Sequence, residues 1–119
     1  METNTAQLAE YLTEEVGDAL RAVGYHTAET HDLVYIRDDV AAAYPPERIE
    51  DFLDVSRSIN EDLSRLDEMG RPKASLHTMG EGYILQFHRD EGRIIYVAMD
   101  HDVGRNFNAF VESCLEVLD

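Results

Sequence analysis

A chain of 119 residues, 44% of them apolar, has enough hydrocarbon for one globular domain over residues 1–119, without disulfides or metal to staple it. Asp and Glu total 25 against 10 Lys and Arg, a formal charge of −15. That balance excludes nonspecific nucleic-acid or anionic-membrane binding, because no basic patch exists to release counterions.

The first helix is expected over residues 5–23, where Leu8, Tyr11, Leu12, Val16, Ala19, Leu20 and Val23 recur at threes and fours and Gly24 follows as a C′ residue. Tyr25 to Thr30 and Leu33 to Arg37 read as two short strands about a polar turn at His31-Asp32, and Asp38 to Tyr44 as a loop. Tyr44-Pro45-Pro46 then leads into a second helix running to about Met69, with Gly70 closing it. Ile49, Phe52, Leu53, Ile59, Leu63, Leu66 and Met69 form its apolar face, and opposite charges three or four apart dress the rest.

Three strands follow: Lys73 to Met79, Gly82 to Arg89, and Ile94 to Met99. Gly80-Glu81-Gly82 supplies positive-φ residues for one hairpin, and Arg89-Asp90-Glu91-Gly92 suits a type I turn for the next. Alternation sets Tyr83, Leu85 and Phe87 against Ile84, Gln86 and His88. The last strand is apolar on both sides, Ile94, Tyr96 and Ala98 against Ile95, Val97 and Met99, so it should be central and covered on both faces. A terminal helix is expected from the stripe Phe107, Phe110, Val111, Cys114, Leu115 and Leu118.

This order, with the long helix ending at Met69-Gly70, the hairpin Gly80-Glu81-Gly82-Tyr83, the acidic turn Asp90-Glu91-Gly92 and the apolar strand Ile94 to Asp100, resembles the roadblock/LC7-like domains of the profilin-like group. The resemblance implies an α+β fold of three layers, α-β-α, with a central five-stranded antiparallel sheet. It also implies a homodimer that pairs through the second helix and the strand after it, acting as a scaffold or regulator of small GTPases and motor complexes. Leu33 to Val40 is similar to a segment of small haloarchaeal proteins, which implies a lineage and no activity.

The charge agrees with that lineage. The acids are spread over every segment and Lys73 is the sole lysine, the pattern of a surface adapted to molar salt. At about 1 M the Debye length falls to about 3 Å, so self-repulsion is screened. Unfolding stability should therefore rise steeply from low to molar salt. A melting temperature independent of salt would leave the composition without a cause.

No catalytic signature emerges, so the protein is read as a non-enzyme with no cofactor. Cys114 lies mid-stripe among Phe110, Val111, Leu115 and Leu118, where burial raises a thiol's pKa and makes it inert. Ser56, Ser58, Ser64 and Ser75 have no nucleophile elbow, and Gly80, Gly82 and Gly92 lie between strands rather than before a helix. The five histidines match no zinc spacing. His77, His88 and Asp100 are the group to test for metal. The acidic N-terminus, the absence of a long apolar run and the single cysteine point to a cytoplasmic setting.

Two functional classes lead, ahead of a third, a metal-dependent enzyme. The first is a homodimeric interaction or scaffold module with Ile59, Leu63, Leu66, Met69 and Leu76 at its interface and a small GTPase, or a signalling or motility complex, as partner. The second is a small-molecule or metal-binding sensor domain. Lys73 to Met79 favours the first, as an edge strand with one lysine at its start, no internal proline and no bulge.

Overall fold

A computed structural model of the protein describes residues 2–27, 29–44, 46–63, 65, 67–70, 72–89, 93–101 and 116–117. Helix α1 (Glu2–Val16) is followed by a 3₁₀ turn at Gly17–Ala19, strands β1 (Leu20–His26) and β2 (His31–Ile36), and helices α2 (Asp38–Ala43) and α3 (Pro46–Leu63). A second 3₁₀ turn at Asp67–Met69 leads to β3 (Ala74–Thr78), β4 (Gly82–His88) and β5 (Ile94–Asp100). The strands form one antiparallel sheet in the order β2-β1-β5-β4-β3. The doubly apolar β5 is its middle strand, as its pattern requires, and Ile94 and Val97 are fully buried.

The two faces are covered by different helices. On one, Val23, Val97, Tyr83, Met99 and Leu20 pack with Ala9, and Leu8, Leu12 and Val16 of α1 close over them. The other carries Ala22, Ala98 and Ile84 in one register row and Gly24, Tyr96 and Gln86 in the next. Val40 of α2 and Phe52 and Leu53 of α3 lie over this second face, on which Tyr96 and His26 also sit.

Four expectations are corrected. Helix α1 stops at Val16, because Gly17 adopts φ +56, and Leu20 to Val23 run as strand rather than helix. Gly24 is therefore mid-strand and not a helix cap. The hairpin turn is Thr27 to Thr30, not His31-Asp32: the Thr27 amide donates to the Thr30 carbonyl at 2.9 Å, and the Thr27 hydroxyl accepts from the Glu29 and Thr30 amides at 3.1 Å. Residues 38–43 are a helix and not a loop. Two acids favour its N-terminal turn and three alanines its interior, and Tyr44 leaves helical geometry immediately before Pro45. The fourth correction shortens the long helix, which ends at Leu63 before the turn at Asp67–Met69, with Gly70 at φ +89 beyond it. The turn at Asp90-Glu91-Gly92 and the terminal helix, apart from the helical Glu116 and Val117, lie outside the described residues.

Candidate functional site

The sheet face beneath α3 carries most of the polar side chains that burial leaves inside the molecule. His26 closes β1 and His31 opens β2, and the hairpin register sets them opposite each other. Gly24 has no side chain, so the ring of Tyr96 from β5 lies over it and its hydroxyl reaches His31 Nε2 at 2.6 Å. His26 packs on the same ring, with centroids 6.2 Å apart. Along the row, Gln86 of β4 pairs with Tyr96, and Ser75 of β3 pairs with Gln86. The Ser75 hydroxyl is 2.7 Å from His88 Nε2.

Burial sets the protonation of this group. It pushes His26 down from its ordinary 6.5 to about 4, with Arg57 and His31 adding to the shift and Asp54 opposing it. Burial likewise lowers His31, against the pull of Glu50 and Asp32, and lowers His88. The Tyr96 phenol is raised well above its ordinary value by the same desolvation. At neutral pH the row is therefore uncharged. Both ring nitrogens of His26, Nε2 of Gln86 and Nδ1 of His88 are buried without a hydrogen-bond partner. Above His26 lies a pocket of about 180 Å³ bounded by Thr27, Glu29, Thr30, His31, Glu50, Leu53, Asp54 and Arg57.

The opposite end of β5 is charged. Asp100 accepts from Arg21 at 3.1 Å and from Arg37 at 2.7 Å, and Arg37 also donates to Asp39 at 2.6 Å and to the Asp18 carbonyl at 2.6 Å. A register shift between Leu20 and Ala22 places Arg21 in a bulge, a device that re-aims a side chain. The arginines hold the Asp39 and Asp100 carboxyls below their usual range, led in both by hydrogen bonding from Arg37. The cluster ties the start of α2 to β1, β2 and β5. Beside it, between the sheet and α2 and α3, is a cavity of about 500 Å³.

The residues singled out for metal are not brought together. His88 stands opposite Ile94 and Asp100 opposite Gly82, at the two ends of the β4–β5 pair, so roughly 20 Å of strand separates them. His77 pairs with Ile84 on the edge strand, and Asp100 is held by arginines. No group of three His, Cys, Asp or Glu side chains arranged to hold a metal ion occurs among the described residues. His26, His31 and Tyr96 were not singled out in the sequence, although the histidine count is the one signal that points there. Of the expected interface residues, Ile59, Met69 and Leu76 are exposed. Leu66 and the side chain of Leu63 lie outside what the structure describes.

Sheet order, helices on both faces and a neutral polar row beneath α3 define an antiparallel α+β domain, with the pocket at His26 and the cavity beside Arg21 both bounded by α3. The chain belongs to the family described as Domain of unknown function (DUF7522), whose model matches residues 6–119. No curated protein matches it. No helix among the described residues is long and apolar enough to cross a membrane.

Proposed function

We propose that this domain is a non-enzymatic interaction module that works as a homodimer, pairing along β3 and α3. The observation that carries this reading is the edge of β3, which has no strand beyond it among the described residues. A five-stranded open sheet has two edges, here β2 and β3. The β2 edge is interrupted by a register shift opposite Val23 and Gly24, which leaves Val34 as an extra residue, and bulges of this kind blunt strand addition. The β3 edge pairs with β4 in unbroken register and exposes Leu76 at 39%. Val55 and Ile59, four residues apart on one face of α3, are 59% and 43% exposed.

A twofold arrangement reuses one patch on each subunit, so pairing two β3 edges covers both copies of Leu76. The resemblance to roadblock/LC7-like domains, which pair through the corresponding helix and strand, supports this arrangement, and the order β2-β1-β5-β4-β3 suits it. By the same resemblance the partner is a small GTPase or a component of a signalling or motility complex, in the cytoplasm of a halophilic archaeon. Light scattering in molar potassium chloride should give about twice the 13.5 kDa chain mass. Leu76→Asp and Ile59→Asp should each halve that mass while leaving the circular dichroism unchanged. A wild-type monomer at high micromolar concentration would refute the dimer, and the scaffold reading with it.

A further inference from the structure

The floor of the larger cavity is built from the two smallest side chains on its sheet face. Ala22 of β1 and Ala98 of β5 are register partners, and Ile84 of β4 is next in the row. Two adjacent methyl groups leave a hollow that the helices bridge rather than fill. Val40, Tyr44 and Phe52 line its helical side, and Leu33 and Ile36 also line it. The result is a concavity of about 500 Å³, within the range of roughly 300–1,000 Å³ usual for small-molecule sites, with mainly hydrocarbon walls.

The charged groups on its lining select the ligand. They are Arg21, Arg48 and Glu81, two cations against one carboxylate, in a chain of net charge −15. Arg21 is held by Asp100. Arg48, in the first turns of α3, has no ion pair among the described residues. An unpaired arginine at an apolar hollow fits a molecule with an apolar body and one anionic end.

We propose that this cavity binds a small amphipathic anion of the medium-chain carboxylate class, its hydrocarbon over Ala22 and Ala98 and its carboxylate on Arg48. The site uses Arg48 and Phe52 of α3 and Met79 beside β3, and not the Leu76, Val55 and Ile59 of the proposed dimer face, so titration reads its occupancy and light scattering reads the oligomeric state.

The test is calorimetric titration of the full chain with octanoate, decanoate and decanol, with circular dichroism of each variant as the folding control. Decanoate should bind with one-to-one stoichiometry, and octanoate more weakly by roughly fourfold for each methylene removed. Decanol against wild type, and decanoate against Arg48→Gln, should each lose about tenfold, as removal of one charge-assisted contact predicts. Ala98→Phe occupies the floor and should abolish binding. Ala22→Val, a smaller change, should weaken it while the fold is kept. No decanoate binding by wild type would overturn the proposal, as would decanoate binding unaffected by Ala22→Val and by Ala98→Phe. Decanol binding as tightly as decanoate would overturn the assignment of an anion.

Discussion

Gly24→Ala should destabilise the domain by about 3 kcal/mol, the upper end of what overpacking a filled site costs. A Cβ at this position would lie 2.5 Å from the Tyr96 hydroxyl oxygen, 2.6 Å from the ring carbon bearing it and 2.8 Å from the Asp32 carbonyl oxygen. None of the three gives way cheaply. The carbonyl belongs to the neighbouring strand β2, and Tyr96 is 5% exposed and hydrogen-bonded to His31. In open space the same substitution would favour the strand by about 0.5–1 kcal/mol, because alanine loses less backbone entropy. The sign of the change thus reports whether the ring and the Asp32 carbonyl occupy this space. In Tyr96→Val, which removes the ring and leaves only the Asp32 carbonyl in the way, adding Gly24→Ala should cost less than in wild type, a coupling that a double-mutant cycle in urea would measure. An unchanged urea midpoint for Gly24→Ala would contradict the packing described here.

Gly24 also shows where the sequence was misleading. Leu20 and Val23 continue the helical spacing of Leu8, Leu12 and Val16, and a glycine after them looks like a cap. Strand β1 is buried on both faces, so it has no polar alternation to set against that spacing. The true stop, Gly17, is marked by backbone conformation, which residue periodicity does not reveal. The hairpin strands β3 and β4 and the middle strand β5 were legible for the opposite reason: alternation or a doubly apolar run states their place, although neither Gly80 nor Gly82 adopts the positive φ expected of the first hairpin. Helix α2 was hidden by its length, too short at 38–43 to show a period.

The polar row was illegible because it is made by register. His31 and Tyr96 are 65 residues apart and meet only because β1 lies between β2 and β5. The same register places His88 and Asp100, named with His77 as the group to test for metal, at opposite ends of the β4–β5 pair. The floor of the larger cavity has this origin too. Ala22 and Ala98 are unremarkable separately and form a hollow only as neighbours.

Acid should loosen the domain between pH 6.5 and 4, and His26 should be the main cause. The side chain is 1% exposed, and burial holds its pKa at about 4, whereas the unfolded chain titrates at the ordinary 6.5. Between those values the unfolded state binds a proton that the native state refuses, so stability is full above 6.5 and is lost as pH falls towards 4. A shift of this size corresponds to about 3 kcal/mol when the window has been crossed. Asp39 and Asp100 act elsewhere on the scale. Their carboxyls are held below the ordinary 3.8, so what they contribute is lost only at still lower pH. His31 and His88, lowered in the same direction, leave a smaller slope in the same window. His26→Phe separates these contributions. Neither ring nitrogen has a partner to lose, and a phenyl ring keeps the contact with Tyr96, so the variant should match or exceed wild type at pH 7. Its stability should then fall by much less than that of wild type on going from pH 6.5 to 4.5, measured by urea unfolding at fixed salt. A wild-type profile that is flat over this interval, or a His26 ring that titrates near 6.5 by NMR in the folded protein, would show that the imidazole is not held neutral by burial.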